Sequence, residues 1–154
     1  MTARTHLLKL PSEDDTAALA AAMAERVRPG DVLLLKGEIG AGKSAFARAL
    51  IRARAGAEID VPSPTFTLVQ TYDLPGLEIW HCDLFRLSHA DEVMELGLDA
   101  AFGTALCLIE WPERMGEALP PEALTLHFSA EADGHTVRFT PNSAWADRLA
   151  GLDD

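Results

Sequence analysis

The chain has 154 residues, 48% of them apolar and 24% charged, and 13 Lys+Arg against 24 Asp+Glu give a formal net charge of −11. That balance excludes a disordered chain, and no apolar run approaches the ~18 residues a membrane span needs. The length suits one domain, residues 1–154, with a hydrophobic core of its own.

Charge is unevenly spread: residues 1–54 carry nine basic and six acidic side chains, the remainder four and eighteen. An acidic chain lacks the phosphate contacts of a general nucleic-acid binder, so any such contact needs a local patch or a partner. Arg48 and Arg52, an i,i+4 pair, form the one candidate patch, either a solvated face or a docking surface for a partner protein or tRNA. The N-terminus shows no basic-then-apolar leader, and the chain reads as soluble and cytoplasmic. Cys82 and Cys107 each sit in an apolar run and read as buried thiols of a reducing compartment.

Helix one is expected from Ser12, with Asp15 as capping-box partner and Leu19, Met23 and Val27 forming an apolar stripe that ends at Arg28-Pro29-Gly30. Val32–Leu35 reads as a strand buried on both faces. A glycine-rich stretch follows, then a helix carrying Phe46, Leu50 and Ile51 that stops near Gly56. Thr67–Tyr72 and Leu77–Cys82, separated by Asp73-Leu-Pro-Gly76, read as an antiparallel hairpin. Residues 89–97 look helical, and Ala105–Ile109 is another buried strand. Leu124–Phe128 and Thr136–Phe139, joined through Asp133-Gly134, form a second hairpin, and 143–150 a short final helix. The expected fold is α/β: a P-loop NTPase-like mixed β-sheet flanked by helices, with antiparallel hairpins.

Gly37-Glu38-Ile39-Gly40-Ala41-Gly42-Lys43-Ser44 matches G-x-x-x-x-G-K-[ST] at every fixed position. Glycines let backbone N–H groups wrap a phosphate chain, and the following helix offers its positive end to the same anion. Lys43 would reach the β- and γ-phosphates, and the Ser44 hydroxyl would hold Mg2+. The guanine-reading Asn-Lys-x-Asp loop is missing, since Asn142 is the sole asparagine and Ser-Ala-Trp follows it. ATP is therefore the expected nucleotide. An acceptor site and Arg-bearing lid, the marks of a small-molecule kinase, have no positive support.

Three further segments bring polar residues to strand ends, where open α/β sheets place their chemistry. Ser63-Pro-Thr65-Phe66 follows the phosphate-loop helix. In His81-Cys-Asp83-Leu-Phe-Arg86, alternation puts His81 and Asp83 on one face and Cys82 on the other. A zinc set of His81, Asp83 and His89 is a weaker alternative, as no second cluster completes it. Leu106–Glu110, followed by Trp111-Pro-Glu113, is a buried strand ending in an acid, the form of a Walker B element.

Together these blocks resemble the TsaE family, the P-loop ATPases of bacterial tRNA threonylcarbamoyladenosine synthesis. The resemblance spans roughly residues 10–125 and rests on Gly37–Ser44, Val61–Val69 with Tyr72, His81–Leu87 and Ile109–Glu113. Ser44-Ala45 stands where Thr-Thr is frequent, and Phe85 where Tyr is. The resemblance implies an ATPase working with TsaB and TsaD, which transfer a threonylcarbamoyl group to adenosine 37 of tRNAs reading codons that begin with A. It implies Mg2+ at Ser44 and Glu110, Asp83 as a second acid and Thr65 facing the γ-phosphate; Thr16 and Trp111 are candidates near adenine, the alternatives being an ordinary helix residue and a core anchor. A binding module that uses nucleotide without essential hydrolysis is the competing reading.

Overall fold

The computed structural model describes residues 6–38, 41–64, 67–87, 89, 92, 96–118, 120, 122–132, 134–140, 145 and 148–149. Seven strands form one sheet in the order β1-β7-β6-β2-β5-β4-β3. In chain order they are β1 (His6–Leu10), β2 (Val32–Lys36), β3 (Val69–Leu74), β4 (Leu77–Asp83), β5 (Leu106–Glu110), β6 (Leu124–Glu131) and β7 (Gly134–Thr140). The middle four, β6-β2-β5-β4, are parallel, and antiparallel pairs close both flanks. The mixed sheet with two hairpins is the one expected.

Helix α1 (Glu13–Ala24) begins at Ser12, whose side chain and that of Asp15 form the reciprocal capping box. Helix α2 (Lys43–Ala55) ends at Gly56 in the left-handed region. Together α1 and α2 cover one face of the sheet. Leu19, Met23, Phe46, Leu50 and Ile51 pack there on Leu33, Leu35, Leu106, Leu108 and Leu126. The short α3 (Leu98–Ala101) lies on the other face, packing with Val32, Leu34, Cys82, Cys107, Ile109 and Met115. β2 is thus apolar from Val32 to Leu35 because both its faces are covered.

The first hairpin is shifted from its sequence reading. Leu68 has φ 67°, and its N–H bonds Pro64 O, so β3 starts at Val69 instead of Thr67. The strands then run to Leu74 and from Leu77, leaving Pro75-Gly76 as the turn. The second hairpin is longer than expected, with Ala130 paired to His135 and Glu131 to Gly134. This lengthening turns His135 into a strand residue. β1 was not expected at all; it pairs along β7 at the sheet edge. The helical readings of 89–97 and 143–150 fall mostly outside the described residues, although Leu96 N bonds Glu92 O and Leu149 N bonds Trp145 O, one turn apart.

Both cysteines are free and buried, as their apolar context implied. Burial pushes the Cys82 thiol well above its ordinary value and that of Cys107 up to about 12. Thiolate is the reactive form, so the folded protein should resist iodoacetamide at neutral pH while denatured protein labels at both positions. Rapid labelling of the folded chain, read by mass spectrometry, would contradict this burial.

Near the C-terminus, Arg148 forks onto both carboxylate oxygens of Asp31, bonds Arg26 O, and lies 3.8 Å over the Trp145 ring. Arg148→Ala strands these partly buried partners and should cost about 1–3 kcal/mol in urea unfolding. An unchanged midpoint would show the clamp to be without weight.

Candidate active site at the glycine-rich loop

The loop leaves β2 at Gly37 and enters α2 through Gly42. At φ +139°, a Cβ on Gly37 would lie 2.5 Å from Phe128 O, so only glycine passes beneath β6 there. Gly42, at φ +110°, caps α2 without a side-chain bond, leaving the helix's first N–H groups directed outward. Ile39 and Gly40 lie outside the described residues, as does Thr65. Glu38 O accepts from Ala41 N at 3.1 Å, and the buried Ala41 packs into the core.

Parallel pairing brings the acids to this loop. Asp83 on β4 stands opposite Glu110 on β5, and Leu35 on β2 opposite Glu110. Their shared face is the one α2 covers, so the Ser44 hydroxyl meets Glu110 Oε1 at 2.7 Å. Glu110 Oε2 lies 2.7 Å from His81 Nε2, with both residues 1% exposed. Alternation holds as read: His81 and Asp83 share the helix-covered face, while Cys82 packs on the opposite one. His81 is committed to Glu110, and among the described residues no three His, Cys, Asp or Glu are grouped for a metal, which removes the zinc set. Asp83 Oδ1 accepts from Phe85 N at 3.0 Å. Ser44 Oγ and the Glu110 carboxylate, with Asp83 on the next strand, are all-oxygen donors of the kind that fit a hard divalent cation.

Lys43 is 4% exposed. Its Nζ donates to Gly37 O at 2.6 Å and sits 3.3 Å over the Trp111 ring. Burial pulls its pKa below the ordinary amine value, and the negative field of Glu110, Glu113 and Asp83 opposes that pull. Trp111 occupies the left-handed region at φ 59° and packs against Phe85 with ring centres 5.0 Å apart. A non-glycine residue in that conformation is strained, and the strain turns the indole back beneath Lys43 directly after the Glu110 strand end.

One cleft of about 1180 Å³ collects Thr16, Gly42, Lys43, Ser44, Asp83, Glu110 and Trp111. Thr16 enters from α1, on the wall formed with Glu13 and Asp14. Phe85, Arg86 and His135, to which the sequence gives no site role, also line it. Phe85 and Arg86 follow Asp83 directly, so their position was implicit in the strand end. His135 was hidden by the underestimated length of β7.

The basic pair behaves differently from a free face. Arg48 Nε donates to Val61 O at 3.3 Å and Arg52 Nε to Ile59 O at 3.0 Å, strapping the segment after α2 onto the helix. Both residues are half-buried. Charge reversal there would therefore loosen this segment as well as change charge, and lost association would not by itself identify a docking patch. Arg54 bonds Ala24 O, tying α2 to the end of α1.

The family model described as "Threonylcarbamoyl adenosine biosynthesis protein TsaE" matches residues 10–138. The chain is 43% identical over 111 residues to a Rickettsia bellii tRNA threonylcarbamoyladenosine biosynthesis protein TsaE, covering 72% of this chain and 77% of that one. A Bacillus subtilis protein of the same name is 38% identical over 129 residues, covering 82% and 80%. The crystal structure of Bacillus subtilis YdiB superposes with a TM-score of 0.77 at 28% identity, covering 97% of this chain and 93% of that one. With the glycine-rich loop, both strand-end acids and strands β2 to β6 inside the matched span, the chain belongs to the TsaE family.

Proposed function

We propose that this chain binds and hydrolyses ATP with Mg2+ and, together with TsaB and TsaD, is required for threonylcarbamoylation of adenosine 37 in tRNAs reading codons that begin with A. The observation that carries the ATPase reading is the 2.7 Å contact of Ser44 Oγ with Glu110 Oε1 at the end of the phosphate-type loop. Binding alone needs no carboxylate beside an anion; two acids at adjacent strand ends make sense where a cation and a water must be held. Ser44 and Glu110 would hold Mg2+, which supplies neutralisation of phosphate charge. Lys43 would place its ammonium on the β- and γ-phosphates, and the N–H groups of the loop and of the α2 N-terminus would cradle them. Asp83 would aid Glu110 or orient water, with Thr65 as the switch-like hydroxyl.

The position of Lys43 supports one orientation of the nucleotide. Its Nζ marks the phosphate end, and the Trp111 ring lies against it. With Lys43 on the phosphates, Trp111 would lie nearer the phosphate end and Thr16, on the α1 wall, nearer adenine. The pathway role rests on the names of the relatives. No described helix is long and apolar enough to cross a membrane, and tRNA modification fits a cytoplasmic site of action.

ATP consumption measured alone and with TsaB–TsaD tests the proposal. Stimulated hydrolysis supports it. ATP binding without hydrolysis in either setting would favour the binding module, and a phosphorylated metabolite would favour a kinase.

A further inference from the structure

His81 has no assigned part in the chemistry above, yet it is buried and holds the other oxygen of Glu110. We propose that His81 is a positioning residue that sets which Glu110 oxygen faces Ser44 and the cation site. The proposal rests on the reading that Ser44 and Glu110 serve a divalent cation.

Both carboxylate oxygens are engaged, Oε1 by the Ser44 hydroxyl and Oε2 by His81 Nε2, each at 2.7 Å. A carboxylate oxygen accepts, so Nε2 carries the hydrogen of that bond. The register explains the reach: His81 pairs with Leu108, one same-face step before Glu110, so the imidazole lies diagonally behind the carboxylate. From there it blocks rotation of Glu110 away from Ser44. His81 Nδ1 has no hydrogen-bond partner, so the ring serves no wider polar network. Its neighbours on that face of the strands are the fully buried apolar Ile79 and Leu108, with Asp83 two residues on and Gln70 opposite His81 on β3. Against Ile79 and Leu108 a leucine would carry less desolvation cost than an imidazole. What justifies the imidazole is its bond to Glu110. Partners behind a ligating carboxylate commonly orient it, and their loss weakens metal binding.

The test compares His81→Leu with His81→Gln, whose amide nitrogen reaches roughly as far as Nε2. Mn2+, followed by electron paramagnetic resonance, replaces Mg2+ as probe, and fluorescent mant-ADP reports nucleotide. For His81→Leu the half-saturating Mn2+ of the protein–nucleotide complex should rise about tenfold, the lower end for outer partners of ligating groups. Affinity for mant-ADP in EDTA should not change, and His81→Gln should recover most of the Mn2+ affinity. If His81→Leu does not fold, His81→Asn, too short to reach Glu110, takes its place beside His81→Gln. Unchanged Mn2+ affinity, or equal losses with and without metal, would overturn the positioning role. If the unsubstituted protein binds mant-ADP no better with Mn2+ than in EDTA, the cation reading of Ser44 and Glu110 falls first, and this proposal with it.

Discussion

Glu110→Gln is expected to lower ATP hydrolysis by about 100-fold or more, the scale for loss of one electrostatic stabiliser in a water-poor site. Glutamine keeps the shape and loses the charge. Its carbonyl can accept from His81 Nε2 while its amide donates to Ser44 Oγ, which a rotating hydroxyl accepts. The buried pocket therefore stays satisfied, and the fold should persist by circular dichroism. Lys43 and the loop N–H groups remain, so ADP affinity with metal should fall by no more than about tenfold, or 1.4 kcal/mol. Trp111 follows Glu110 in the chain, so its fluorescence can report binding in the same samples. Near-normal hydrolysis in Glu110→Gln, with Asp83→Asn inactive, would move the metal role to Asp83.

Lys43→Ala should abolish productive ATP binding and pathway function, because Lys43 is the one cationic side chain in the Gly37–Ser44 motif. Its effect on stability should have the opposite sign. Burial lowers the Lys43 pKa, so the folded state holds its charged form at a cost that the acids nearby only partly offset. Lys43→Met, which keeps volume without charge, should fold at least as stably as the unsubstituted chain at neutral pH. The sign of the pH dependence follows by linkage. Below the lowered folded pKa both states are protonated and the burial cost is fully present. As pH rises toward the ordinary 10.5, the folded state releases its proton first and the cost disappears. The advantage of Lys43→Met should therefore narrow in that alkaline window. Urea midpoints across pH would check it, and a collapse of folding in Lys43→Met would make Lys43 structural.

Local pattern was enough for much of this molecule. The Ser12–Asp15 capping box and the double-faced apolar run of β2 are signals carried by adjacent residues. The glycine-rich motif between a strand and a helix is another, and all appear where such local signals put them. Period-two alternation was likewise sufficient to put His81 and Asp83 on one face. Strand ends were less legible where a backbone exception intervened. Leu68 at positive φ delays β3, and the long β6–β7 pairing runs right up to the turn, to Glu131 and Gly134, carrying His135 into the cleft. β1 had no independent signal, because an edge strand is defined by the neighbour it pairs with. The decisive contacts of the site are non-local. That Ser44 meets Glu110, that His81 stands behind it, and that Trp111 lies under Lys43 depends on parallel register and on one strained backbone torsion. Such distances arise only when strands far apart in the chain are laid side by side, and a linear pattern, which records spacing along the chain, does not contain them. The same holds for Arg48 and Arg52, whose charge looked free in sequence until the fold supplied the backbone carbonyls they bind.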